Sequence, residues 1–415
     1  MLLKSGAKSG ILETNTESYQ SVAKKTRALS PSPTIGSANQ SLSPYPFLNK
    51  FIPCNGFTNH YGTSYTNPLL TNATLDRHYS LLTLSILTKL FIKGCDCEGS
   101  TLRYLCIKSR PSIARCNVCN KQISITAKTP LDNYKLKLSY FSYILQDSIL
   151  QYPKVITSTE ISRKLNLPYK TAYYLKKRIQ IICSLLNDSL REKLYNELET
   201  FSEKNPLRLP KQGDLRPLLQ GIPVATCDSV VLYSSSLRAN KHRSRRFKTG
   251  SSSIYLSNNL GGEQKGVLVH TVGVNHGMTF YKSIPLNNQS YLLKDLNSKI
   301  PSYIPLFTDE GYSFIWDRPN HRMVNHSKKS NDHRYNLSRE RWITKEGVTS
   351  NGAEARNNTL KQAFRSYHYI SPKWSQLYLD EISFLGNLRY SEGLKELLFE
   401  GGSVGESDNG CFTNR

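Results

Sequence analysis

Five of the nine cysteines in this 415-residue chain fall between positions 95 and 119, and that crowding constrains the local fold more than any other feature. Cys116-Asn-Val-Cys119 is a C-x-x-C knuckle, a turn tight enough to bring two thiolates to one tetrahedral ion. Upstream lie Cys95-Asp-Cys97, a C-x-C, and then Cys106. Two cysteine pairs roughly 20 residues apart are the layout of a zinc ribbon, which places a small metal-binding unit at 93–127. The first pair is one residue short. Either Cys95 and Cys97 both join Cys116 and Cys119 on one structural Zn²⁺, or Cys106 replaces one of them. The bland alternative is an eroded ribbon without metal. Cys54, Cys183, Cys227 and Cys411 are scattered, as buried small hydrophobes commonly are. This is the usage of a reduced compartment, not of a secreted disulfide scaffold.

The charge balance points outward. Lys plus Arg number 55 against 31 Asp plus Glu, for a net charge of +24. Such an excess suits a polyanionic partner, most simply nucleic acid. No apolar run approaches the roughly 20 residues needed to cross a bilayer. The best stretch, 81–92, is short and broken by Thr, Ser and Lys, and no apolar signal segment follows Lys4 and Lys8. The expectation is a cytoplasmic protein without a membrane partner. Residues 1–80 are rich in Ser, Thr, Asn and Pro with few acids, and are expected to be disordered or loosely ordered. A helical region is expected over 131–204 and a Pro- and Gly-containing linker over 205–220. Mixed strands and helices are expected over 221–395, and a flexible tail over 401–415.

Within the helical region the pattern predicts a helix-turn-helix. Thr157-Ser-Thr-Glu160-Ile161 opens a helix with a capping-box spacing, and Asn166-Leu-Pro168 ends it. The next segment, from Tyr169, places Ala172, Leu175 and Ile179 on one inward face. Lys170, Thr171, Tyr174, Lys177 and Arg178 lie toward other faces. A basic second helix after a short turn can address the major groove of DNA. A plain helical hairpin with a solvated basic face would look similar.

Three acids carry the candidate chemistry. Asp228 sits inside an apolar strand over 222–233, where a carboxylate is costly unless a cation pairs with it. Asp309 ends a second strand over 303–311, before a Gly turn. Glu354 opens a helix over 354–364, with Lys361 two turns later on the same face. Two strand acids and one helix acid can converge on two divalent ions, Mg²⁺ or Mn²⁺, for an in-line phosphodiester displacement. A lone strand aspartate is ordinarily just a hydrogen-bonded turn or edge residue.

From about 95 to 390 the chain resembles the ISXO-type insertion-sequence transposases of the DDE superfamily. The matching stretches begin with Cys116-Asn-Val-Cys-Asn-Lys-Gln-Ile-Ser124, then Leu167-Pro-Tyr-Lys-Thr-Ala-Tyr173 with Arg178-Ile179. Phe307-Thr-Asp-Glu310, Val324-Asn-His-Ser327 and Asn351-Gly-Ala-Glu354 with Lys361 follow. Last come Tyr367-His-Tyr-Ile-Ser-Pro-Lys373 and Tyr378-Leu-Asp-Glu381. The resemblance implies an α/β multidomain chain: a zinc ribbon, a helix-turn-helix domain and a ribonuclease-H-like mixed-sheet catalytic core. It implies an acidic triad of Asp228, Asp309 and Glu354 holding two Mg²⁺, with Lys361 near a DNA phosphate. It implies a DNA transposase that binds terminal inverted repeats of double-stranded DNA, cuts them and transfers the strand. Two ends paired in a synaptic complex imply a homo-oligomer, working at the nucleoid of a prokaryotic cell. The family's Asp-Glu-Thr run reads Asp228-Ser229-Val230 here.

A basic loop follows the first acidic strand. From Ser229 to Gly262 there is no acid, while Arg238, Lys241, Arg243, Arg245, Arg246 and Lys248 cluster. Such a loop can neutralise phosphates without reading sequence, or can be an ordinary solvated loop. His326 and His368 are weaker candidates for phosphate contacts. Two other classes fit the ribbon, the helix-turn-helix and the charge: a catalytically inactive copy that only binds DNA, and a nuclease that cuts without joining. Metal-dependent cleavage separates the first, and strand transfer the second.

Overall fold

A computed structural model describes residues 66–92, 95–104, 112–232, 267–324, 343–367 and 370–400. All of them fall in a single unit, His60–Arg415. The chain is mixed α/β, with helices, a small three-stranded sheet and a larger mixed sheet. No described helix is long and apolar enough to cross a membrane.

The first described residues correct an expectation. Within the span read as loosely ordered, residues 66–80 are folded: α1 (Pro68–Thr71) leads into α2 (Ala73–Phe91). Asn67 and Asn72 cap them, their side-chain oxygens accepting from the Leu69 and Leu75 amides. Helix α2 packs against α3 (Ser139–Gln151), where Thr83 Oγ1 and Ser142 Oγ meet at 2.9 Å. Residues 82–87 of α2 are buried without a break, as are 139–148 of α3. A helix covered on every side carries no amphipathic stripe, so its period is invisible in the sequence.

The ribbon region forms a three-stranded antiparallel sheet of β1 (Leu102–Tyr104), β2 (Ile113–Cys116) and β3 (Gln122–Ser124). Beyond it, Thr157 caps α4 (Ser158–Leu165) by accepting from the Glu160 amide at 3.2 Å. Asn166 then turns the chain in the left-handed region, φ +50°, and α5 (Tyr169–Lys204) begins three residues later. Ala172, Leu175 and Ile179 are fully buried. Helix α5 runs for 36 residues, about 54 Å at 1.5 Å per residue. It packs against α8 (Ser375–Asn387). There Lys176 and Glu381 form an ion pair in which both side chains are 1 % exposed. Gln180 Nε2 donates to the second Glu381 oxygen at 2.9 Å. Removing one partner of such a pair strands a buried charge, at about 3–5 kcal/mol. Glu381→Ala should therefore lower the urea unfolding free energy by that amount. Lys176→Met with Glu381→Leu should restore most of it; a loss under about 1 kcal/mol in the single variant would refute the assignment.

The segment 205–220 joins α5 to the larger sheet and is itself packed. Leu209 and Leu215 are buried against Val224, Phe307, Val324 and Val348. The Leu209 amide donates to Asn320 Oδ1 at 2.8 Å, and the Leu215 amide to the Glu346 carbonyl at 2.9 Å. The Pro and Gly residues shape a strap whose apolar positions are too widely spaced to show a period.

The larger sheet has the order β6-β5-β4-β7-β8. Its strands are β4 (Ala225–Leu232), β5 (Val267–Val274), β6 (Thr279–Ser283), β7 (Leu306–Asp309) and β8 (His321–Val324). Strands β4, β5 and β6 are antiparallel neighbours; β7 runs parallel to β4, and β8 to β7. Paired residues share a face, so the register sorts the side chains. Val230, Val269 and Tyr281 face α7 (Asn351–Phe364) and α8, packing on Leu360, Ala363, Leu379 and Ile382. The opposite face carries His270, which bonds Asp295 of α6 (Gln289–Asn297), Nδ1 to Oδ2 at 2.7 Å. On β8, burial first and then the Arg318 charge pull His321 down to about 4, and Thr308 Oγ1 lies 2.9 Å from its Nε2. A folded value below the ordinary 6.5 means that protonation favours the unfolded chain. The stability His321 contributes is complete above pH 6.5 and is lost as pH falls toward 4. His321→Gln should flatten the decline of the urea midpoint between pH 6.5 and pH 4; an unchanged slope would show that other groups carry it.

Candidate functional site

The cysteines come together. The Sγ atoms of Cys95, Cys97, Cys116 and Cys119 all lie within 4.8 Å of one another. Cys95 Sγ is 3.5 Å from that of Cys97 and 3.4 Å from that of Cys119. The knuckle forms because Asn120 adopts φ +63°, which closes the turn and lets its amide reach the Cys116 carbonyl at 3.1 Å. The Val118 amide points at Cys116 Sγ, 3.4 Å away. The Cys97 amide, with the neighbouring sulfurs, draws Cys95 down to about 7, while the Cys95 and Cys119 sulfurs push Cys97 up to about 12. Four sulfurs sharing protons at this separation could hold one zinc ion. Of the two arrangements left open by spacing, Cys95 and Cys97 are both in the cluster; Cys106 lies outside the described residues.

The acids assemble on one face of the large sheet. Thr226 of β4 pairs with Phe307 of β7 in parallel register. Two residues on, Asp228 and Asp309 occupy the same face where the strands begin to part. Helix α7 crosses that face and supplies Glu354 and, two turns later, Lys361. Its approach depends on Gly352, where an added Cβ would stand 2.9 Å from Asn275 Oδ1 and 3.1 Å from Thr226 Oγ1. Asp309 turns the chain by accepting from the Gly311 amide at 3.0 Å. Burial, then the charges of Asp309 and Glu354, raise Asp228 to about 7, against the Ser229 amide and Lys361, which lower it. Asp309, Glu354 and Lys361 thus all act on the charge of Asp228. Among the described residues, only the cysteines bring three or more ligand atoms within 4.8 Å of one another, so the three carboxylates stand farther apart than one ion's shell.

Sequence reasoning passed over the group that holds Asp228. Asn357 Nδ2 donates to Asp228 Oδ2 at 2.7 Å, and its Oδ1 accepts from Thr271 Oγ1 at 2.6 Å. Thr271 is the β5 partner of Asp228. The signal was present, since Asn357 lies three residues after Glu354 and four before Lys361, on their helix face. Behind the strand, Ser229 Oγ donates to Asn287 Oδ1 at 3.1 Å and sits 3.4 Å from the Tyr312 hydroxyl.

The candidate DNA helix divides. Lys170 and Tyr174 are exposed and Thr171 is half-buried. Lys177 and Arg178 are drawn inward. The Lys177 ammonium lies 4.0 Å from the Tyr378 ring centroid and donates to Gln180 Oε1 at 3.0 Å, and burial lowers it to about 8. Arg178 Nη1 donates to the Pro130 and Asp132 carbonyls at 2.7 and 2.8 Å. Their charge braces the helix against its neighbours, which leaves Lys170 as the basic group of this surface. Arg243, Arg245 and Arg246, with His326 and His368, lie outside the described residues. No protein-family model, curated protein or solved structure matches the chain.

Proposed function

We propose that this chain is a DDE-type DNA transposase of an insertion sequence. The observation that carries the reading is the placement of half-buried Asp228 beside Asp309 on one sheet face, held by Asn357 of α7, with Asp309, Glu354 and Lys361 all acting on its charge. The sheet order, three antiparallel strands continued by two parallel ones, supports a ribonuclease-H-like core. Asp228, Asp309 and Glu354 offer the hard oxygen donors that Mg²⁺ or Mn²⁺ takes. Bound there, two such ions would activate the attacking oxygen and stabilise the leaving oxygen. The chain's own part is positional. Asn357 fixes one Asp228 oxygen, and Lys361 offers its ammonium to a phosphate at the face of the cluster. Water attacks the phosphodiester at the element end, and the freed 3′-hydroxyl then attacks target DNA. Lys170, Thr171 and Tyr174, with the ribbon, would bind the terminal repeats. The basic loop with Arg243, Arg245 and Arg246 would follow the backbone, and two copies would pair two ends.

A second reading has one observation in its favour. The position after Asp228 is a serine bound to Asn287 and Tyr312, where the family has an acid. A chain that binds element ends without cutting them would tolerate that change. The deciding experiment is cleavage of a labelled duplex carrying the DNA ends that flank the coding sequence, with Mg²⁺ or Mn²⁺ against EDTA. Metal-dependent nicking at the repeat boundary supports the transposase. Binding without cleavage in either metal supports the inactive DNA-binding copy.

A further inference from the structure

Helix α7 has a second working side. At 100° per residue, Glu354, Asn357 and Lys361 share one face, while Ala355, Arg356 and Thr359 lie on the opposite one. That opposite side borders a cleft of about 330 Å³ between α7, α8, the β5–β6 turn and Tyr152. The volume sits at the low end of ligand sites, enough for one small ligand and too little for a duplex. No Asp or Glu lines it.

Its cations lack counter-charges. Arg356 is half-buried and donates to Thr279 Oγ1, Thr226 Oγ1 and the Val274 carbonyl, at 2.9, 2.5 and 2.6 Å. All three acceptors are neutral, and they use three of the five guanidinium N–H groups. Gly273 is required beneath it, because a Cβ there would stand 2.5 Å from Arg356 Nε. Arg389, whose like charge adds to burial in lowering the pKa of Arg356, is exposed and lies over the Tyr390 ring, 4.8 Å from its centroid. Neither arginine has a carboxylate partner among the described residues. With no acid beside them and two Arg356 N–H groups left over, the pair favours an anion in the cleft. The aromatic walls, Tyr152 and Tyr390, suit the flat face of a base.

We propose that this cleft binds one unpaired nucleotide of a nucleic-acid strand, its phosphate on Arg389 and its base against Tyr390 or Tyr152. The inference extends the transposase reading, on which it rests for the nature of the strand. The cleft and the acidic cluster lie on opposite sides of α7, about 10 Å across, one or two nucleotides along a strand crossing it. It would hold the strand beside the scissile phosphate, so its residues are positioning residues.

The test is photocross-linking of the full chain, in EDTA, to a short thymidine oligonucleotide carrying one 5-iododeoxyuridine. Cross-linked peptides should contain Tyr390 or Tyr152. Arg389→Ala and Thr359→Glu should each reduce those cross-links about tenfold, the value of a charge-assisted hydrogen bond. Cross-links at Tyr169 or Tyr174 on α5 should persist in both. Should Thr359→Glu disturb the fold by circular dichroism, the exposed Arg389→Ala decides alone. Cross-links mapping elsewhere, or unaffected by Arg389→Ala, overturn the proposal. Loss of the Tyr390 cross-link to inorganic phosphate as readily as to thymidine monophosphate would make this a free-anion site and also overturn it. Because no metal is present, failure of cleavage with these cross-links intact removes only the transposase reading, and cleavage without them removes only the cleft.

Discussion

Asp309→Asn should reduce metal-dependent nicking at the repeat boundary by about 10³-fold or more, the upper end of what losing one charge-stabilising group costs. The substitution keeps the shape of the side chain and its oxygen toward the Gly311 amide, so the turn after β7 should survive. It removes a negative charge beside Asp228, whose carboxyl should then titrate closer to the ordinary range. A divalent ion needs that charge, whereas the proposed DNA binding through the ribbon and α5 does not. End binding measured by gel shift at fixed salt should therefore change less than about twofold while cleavage disappears, since phosphate contacts elsewhere set affinity. Glu392→Gln, on α9 (Glu392–Glu400), serves as the control and should cut normally. A variant that still cuts would remove Asp309 from the chemistry and the transposase reading with it. Cleavage in the unsubstituted chain without strand transfer would point to a nuclease.

The sequence was most legible where one residue type has one physical use. Thr157 at a helix start, Asn166-Leu-Pro168 as a helix stop and Cys116-x-x-Cys119 as a knuckle are local devices, and each stands where its chemistry requires. The acids at Asp228 and Asp309 stood out because an apolar strand rarely ends in or encloses a carboxylate without cause. Legibility failed where the deciding partner is distant in sequence. Lys177 and Arg178 look solvent-facing on a helical wheel, yet Tyr378 and the Pro130 carbonyl claim them from outside the helix. The strap over 205–220 was hidden because its order comes from Asn320 and Glu346, more than 100 residues away. Asn357 was overlooked for a different reason. An amide between two candidate residues advertises nothing until its Asp228 and Thr271 partners are known.

The cysteine cluster makes the other large claim, because the described residues of the ribbon offer little else to hold it. Its strands are three, four and three residues long, and among the described residues its buried side chains are Ala114 and Cys116 in β2 with Ile125 just past β3. Units below about 40 residues rarely fold on so small a core without metal or disulfide. Structural zinc supplies about 10–16 kcal/mol in comparable peptides near pH 7, more than such a unit's apolar burial can. The purified chain should therefore carry one zinc per chain, released by a mercurial reagent and read with a zinc-sensitive dye. Cys119→Ser should lower that stoichiometry severalfold, because three thiolates hold zinc far less well than four. Cys106→Ser should leave it unchanged, since Cys95 and Cys97 already complete the set. Stripping the metal should speed hydrogen exchange over 95–124 and leave β4, β5 and α7 protected, because their core of Val230, Val269 and Leu360 does not involve the ribbon. Cobalt substitution would give thiolate charge-transfer bands if the ligands are sulfur. A chain that keeps its ribbon protected after chelation, or binds no zinc with all four cysteines intact, would mean that the cluster is only a packing of thiols.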